Sequence, residues 1–194
     1  GTYYLAYDMP YKKYGLGGYL IHNRNGNGGF NTINLMPCFA YQITDGKNSP
    51  HNLSVGAQLG IIYKNFDPNH FTFDSQFSAD APGGFDPNIS NGEIWWKTSL
   101  LKIDANMGVF YKYQKEDWKA HPWAGFSVYH MPRPNQSMTK LVKDKLPMRW
   151  VMEAGADYQI NDNINLTPML LYMMQAKAHE INIGAICFYH LKDT

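Results

Sequence analysis

The sequence predicts an all-β fold, a transmembrane antiparallel up-and-down β-barrel, on three observations. Side-chain polarity alternates with a period of two along most of the chain, as it does where successive strand residues face opposite sides. The alternating runs are mostly about 9–12 residues long, beyond the usual soluble strand and matched to the length that crosses a bilayer at a tilt. Aromatic residues make up 15% of the chain and charged residues only 17%, a surplus of rings and a shortage of charge that suit a lipid-facing wall.

The clearest run is Leu101–Tyr111. Leu101, Ile103, Ala105, Met107, Val109 and Tyr111 fall on one face, and Lys102, Asp104, Asn106 and Gly108 on the other. Leu53–Tyr63 repeats the pattern, setting Leu53, Val55, Leu59 and Ile61 against Ser54, Gly56, Gln58 and Gly60. A third copy sets Trp150, Met152, Ala154 and Tyr158 against Arg149, Glu153, Gly155 and Asp157. Weaker alternation over Thr2–Met9, Gly15–Arg24, Thr32–Thr44, Pro122–His130, Ile164–Gln175 and Ile181–Leu191 brings the expectation to about nine strands. Tyr or Trp near the strand ends matches the aromatic belts of membrane walls rather than a soluble sandwich.

The connections sort by parity. Tyr11–Tyr14, Asp45–Asn52, Lys115–His121 and Asn161–Asn163 are short and alternate with the longer Asn25–Phe30, Asp67–Glu93 and Met131–Leu146. The short set is expected on the periplasmic side and the long set outside the cell. The connection around Ala176–Glu180 is short yet falls in the long set. A barrel of this class usually has an even strand number and must close, so residues 1–194 are expected to form one domain whose barrel is completed by residues outside this sequence.

The whole-chain numbers remove other classes. Net charge is +1, which gives no attraction to nucleic acid. No stretch approaches the roughly 18 consecutive apolar residues of a transmembrane helix. The two cysteines, Cys38 and Cys187, lie far apart in apolar runs and read as small wall residues, with a disulfide the alternative. The first residue is Gly1, so the lack of an export signal argues nothing about compartment.

No motif for nucleophilic, zinc, phosphate or dinucleotide chemistry stands in a suitable context, and the seven histidines lack ligand spacing. The expectation is a protein that is not an enzyme and holds no cofactor. Three groups of residues stand out instead. Lys64, Lys102, Asp104, Lys112, Arg149, Glu153 and Asp157 sit on polar faces, where they line a conduction path or pair with one another inside the wall. Glu153 and Asp157 do not make a catalytic dyad, since four residues along one strand separate them by roughly 13 Å. The long Asp67–Glu93 loop carries Phe71, Phe73, Phe77 and Phe85 beside Asp74 and Gln76, a loop aromatic enough to pack on a partner or into its own barrel mouth.

The third group carries a resemblance. Gly125-Phe126-Ser127-Val128-Tyr129-His130-Met131-Pro132-Arg133-Pro134-Asn135-Gln136-Ser137 resembles the signature of the PorP/SprF family. Leu5-Ala6-Tyr7-Asp8-Met9-Pro10, Leu53-Ser54-Val55-Gly56, Phe73-Asp74-Ser75-Gln76, Asp104-Ala105-Asn106-Met107-Gly108-Val109, Leu166-Thr167-Pro168 and Glu180-Ile181-Asn182-Ile183-Gly184 agree with it in order, so the resemblance covers nearly the whole chain. The signature loop contributes His130, Pro132, Arg133, Pro134, Asn135 and Gln136 as family-marked positions. The resemblance implies an outer-membrane barrel of the Bacteroidetes type IX secretion system that binds or anchors secreted surface adhesins, such as those used in gliding. The implied partners are an adhesin, other secretion components, membrane lipid and a periplasmic lipoprotein. It identifies no catalytic residues. The alternative is a passive porin or small-solute channel whose lumen charges set selectivity.

Overall fold

The computed structural model describes residues 1–26, 29–44, 49–92, 97–139 and 142–190. Nine strands among them form one sheet in sequence order: β1 (Thr2–Tyr11), β2 (Tyr14–Asn25), β3 (Phe30–Gln42), β4 (His51–Asn65), β5 (Ser99–Tyr113), β6 (Ala120–Tyr129), β7 (Arg149–Asn161), β8 (Ile164–Gln175) and β9 (Ala178–Tyr189). Every neighbouring pair is antiparallel. This is the expected up-and-down architecture, with the sheet open between β1 and β9. No described helix is long and apolar enough to cross a membrane.

All nine expected strands are present, with Ile164–Gln175 matched at both ends and the other ends displaced by at most three residues. β4 and β5 reach 15 residues each because Asn65 pairs with Ser99 and His51 with Tyr113, so backbone pairing runs past the apolar alternation. β9 begins at Ala178, since a two-residue hairpin at Ala176-Lys177 replaces the longer connection expected there. Ala176 takes φ 54° and Lys12, in the β1–β2 hairpin, φ 57°, the left-handed backbone that matches a two-residue turn to strand twist. Leu191, Glu93 and residues 45–48 of the expected elements lie outside the described residues.

Exposure follows the faces and inverts the soluble pattern. Leu59, Leu101, Ile103 and Met107, all on the apolar face, are 64%, 61%, 65% and 51% exposed. The polar face of β4 and β5 holds buried Ile62, Asp104 and Asn106, and that of the neighbouring β3 holds buried Met36. Registry explains the concavity. Met36 aligns with Tyr19, and Gly60 aligns with Asp104 in the next pair of strands. A Cβ at Gly60 would strike the Leu35 carbonyl and the Met36 sulfur, so only glycine lets β3 and β4 curl inward there. Gly155 plays the same part in β7, where a Cβ would lie 2.5 Å from Trp123. Polar atoms inside and greasy atoms outside suit a wall whose outer solvent is hydrocarbon.

Candidate functional site

The polar face and the long-loop end hold the chemically rich residues. On that face β1–β7 border an open cavity of about 530 Å³, lined among others by Asp8, Gln58, Asn106, Ser127, Tyr129 and Glu153. Its polar contacts run across strands. Asn106 Nδ2 donates to Gln58 Oε1 at 2.8 Å, and Asn106 Oδ1 accepts the His130 backbone N–H at 2.9 Å. His130 Nδ1 lies 2.6 Å from Asp104 Oδ2, with the Asp104 side chain 3% exposed and that of His130 20%. The other carboxylate oxygen of Asp104 is buried without a hydrogen-bond partner.

The charges expected inside the wall therefore divide. Asp104 is taken by His130, and Lys112 pairs with Asp157 at 2.8 Å while Thr167 donates to the other Asp157 oxygen at 3.0 Å. Lys64 donates to Gln136 of the signature loop. Arg149 donates through Nε and Nη2 to Gln175 at 3.2 and 3.0 Å. Lys102 stands on the same face, half-buried and, among the described residues, without a hydrogen-bond or ion-pair partner. Glu153 leans over Gly125, where a Cβ would lie 2.5 Å from its carboxylate oxygen.

The signature loop is anchored at both ends of its first half. His130 and Arg133 adopt φ 60° and 48°, rare for side chains of this size. The Met131 N–H donates to the Ala105 carbonyl at 3.0 Å, and the Arg133 N–H to that of His130 at 2.9 Å. Pro134 is buried, Asn135 bridges to Lys145, and Asn135 Oδ1 accepts the backbone N–H groups of Ser137 and Asp144. Pro132 is exposed. Sequence spacing could not show that His130 meets Asp104, because the contact depends on the register between β5 and β6.

The aromatic loop is folded about one polar side chain. Gln76, 7% exposed, accepts the Phe73 N–H at 3.1 Å and donates to the Ile89 carbonyl at 3.1 Å. Phe71 packs between Phe66 and Phe73 with ring centroids 5.7 and 6.4 Å away, tying the loop to the top of β4. Phe77 and Phe85 meet edge-on at 6.0 Å and bridge through their backbones. Phe77 remains 64% exposed, and Asp74 is also exposed. Of the six loop residues picked out in the sequence, Gln76 and Phe71 build the loop, while Phe77 and Asp74 reach its surface.

Cys38 and Cys187 are both free thiols. Among the described residues no three of His, Cys, Asp and Glu are grouped as metal ligands. The sequence matches the family model of the type IX secretion system membrane protein PorP/SprF over residues 1–192. No curated protein and no solved structure matches the chain. A family match of that extent, on an up-and-down sheet with an exposed apolar face, decides the assignment. The chain belongs to the PorP/SprF family of type IX secretion system membrane proteins.

Proposed function

We propose that this protein is an outer-membrane barrel that binds or anchors a secreted surface protein of the adhesin kind at the cell exterior, in a role without bond chemistry. The observation that carries the reading is the 67–92 loop. It is folded about buried Gln76, and it holds the Phe77 ring 64% exposed against Phe85. Exposed aromatic anchors on a rigid support are the usual hot spots of protein recognition. The longer connections lie at that end of the sheet, which supports reading it as the extracellular end by the loop rule of such barrels. The polar face is occupied by paired charges and by the inward-hooked signature loop, an arrangement suited to holding a scaffold rather than passing solute. Strands outside this sequence would complete the wall against β1 and β9, since an open sheet edge is not stable in hydrocarbon.

The test is to delete residues 67–93 and measure surface retention of the secreted protein that co-purifies with the intact barrel in mild detergent. The reading expects retention to be lost while the barrel still assembles. Unchanged surface display would overturn it.

A further inference from the structure

The apolar face of the sheet carries a slot of about 380 Å³ across β3–β6. Strand pairing builds it. Phe39 aligns with Ala57, Tyr41 with Val55, Val55 with Val109, and Val109 with Phe126. Short side chains on β4 and β5 therefore form a floor between rings on β3 and β6. The rings are braced from outside the slot. Tyr14 packs on Phe39 and Tyr41 with ring centroids 5.9 and 5.3 Å away, and Trp150 packs on Phe126 at 5.8 Å. Rings held against neighbouring rings do not swing over the floor, so the slot persists.

Toward the short-turn end the same face changes character. Along β4 from Val55 come Leu53 and then exposed His51, beside Tyr111 and Tyr113 of β5. His51 Nδ1 lies 2.7 Å from the Tyr111 hydroxyl. The His51 ring meets Tyr113 edge-on at 5.2 Å, and Trp118 packs on Tyr113 at 5.1 Å. Such a group of amphipathic rings marks headgroup depth in a membrane wall. With Tyr111 donating to Nδ1, the imidazole carries its proton on Nε2. Among the described residues no acceptor meets that nitrogen. Val55 lies four positions from His51, roughly 13 Å at strand rise, which is within the roughly 15 Å that one leaflet contributes to the hydrocarbon core.

We propose that the slot and the His51–Tyr111 pair together bind a phospholipid of the leaflet at the short-turn end, with an acyl chain in the slot and the headgroup phosphate accepting from His51 Nε2. A phospholipid is the occupant because the chain belongs to a family of membrane proteins and the slot opens on the face turned to hydrocarbon. Apolar walls select the chain. A phosphate oxygen at headgroup depth supplies the acceptor that Nε2–H lacks, in a charge-assisted hydrogen bond. This inference rests on the barrel reading above and names a ligand site on the wall of that barrel.

The intact protein in mild detergent is titrated with dioleoylphosphatidylethanolamine, and native mass spectrometry counts the lipids on each molecule. The first lipid should bind about tenfold more tightly than later ones, and about tenfold more tightly than dioleoylglycerol, which has the same chains without the phosphate. Ala57→Phe fills the floor and should remove the distinct first lipid. Ile103→Phe adds a ring on the same face beyond the slot and should leave it. His51→Phe keeps a ring and should erase the preference for the phospholipid over dioleoylglycerol, a selective loss that misfolding cannot mimic. Equal affinity for every lipid on the wild type, a distinct first lipid retained by Ala57→Phe, or a headgroup preference retained by His51→Phe overturns the proposal. Leu59→Arg in lipid vesicles separates the two readings, since Leu59 is exposed on the same face. A strong loss of stability without a distinct first lipid refutes the slot and leaves the lipid-facing wall standing. No loss of stability refutes the wall itself, and the barrel reading with it.

Discussion

Asp104 and His130, separated by 26 residues, meet at 2.6 Å in a place where the Asp104 side chain is 3% exposed. The pair joins β5 to the first residue after β6 and fixes where the ladder between them stops. Removing one member of a buried pair leaves the other charge without compensation, at a cost of about 3 kcal/mol. His130→Ala should therefore lower the urea midpoint of the detergent-solubilised barrel strongly. Asp104→Asn, which keeps an acceptor for the ring, should cost about 1 kcal/mol. An unchanged midpoint for His130→Ala would show that the contact does not hold the fold.

Lys112 and Asp157 offer the opposite case. They are closer to an ordinary ion pair at 2.8 Å, but their side chains are 29% and 43% exposed. Water screens such a pair, and exposed pairs contribute on the order of 0.2–1 kcal/mol. A double-mutant cycle over Lys112→Ala and Asp157→Ala should give a coupling in that range, smaller at high salt. A coupling as large as the His130→Ala loss would mean that this end of the barrel is far drier than its exposure indicates.

The contrast shows what a sequence carries and what it withholds. The strands were legible because the pleat writes itself into every second residue, as in Leu101, Ile103, Ala105 and Met107. The alternation along β5 was legible too, with Lys102, Asp104 and Lys112 on the face opposite Leu101 and Ile103. Which charge meets which partner was not legible, because register between strands is set by backbone pairing and close approaches such as Gly60 over Met36. The same holds for Gln76, whose partners at Phe73 and Ile89 lie in an irregular segment without periodicity.

Gln58 and Leu59 are neighbours at one depth on opposite faces of β4, and Leu59 is 64% exposed on the apolar face. An arginine near the bilayer midplane on the lipid side costs about 2–4 kcal/mol. Leu59→Arg should destabilise the protein by that amount in lipid vesicles. Gln58→Arg loses one hydrogen bond to Asn106 and should cost about 1 kcal/mol, since its charge enters the polar interior. Equal losses would mean that the two faces are not divided between lipid and lumen.

Gln76 predicts the behaviour of the aromatic loop. Its side chain closes the segment by accepting from Phe73 and donating to Ile89 across 13 residues. Gln76→Ala removes both part-buried hydrogen bonds, leaving the Phe73 N–H and the Ile89 carbonyl to find other partners, at a cost of about 1–3 kcal/mol borne by the loop alone. Limited proteolysis should then cut between residues 67 and 92 much faster than in the wild type, while the β-sheet circular dichroism of the barrel stays unchanged. Phe77→Ser provides the comparison, because its ring is 64% exposed and touches only Phe85 closely among the described rings. That variant should leave proteolysis nearly unchanged and weaken capture of the secreted client. If Phe77→Ser loosens the loop as much as Gln76→Ala does, the exposed ring is part of the loop's own packing and the client surface must lie elsewhere.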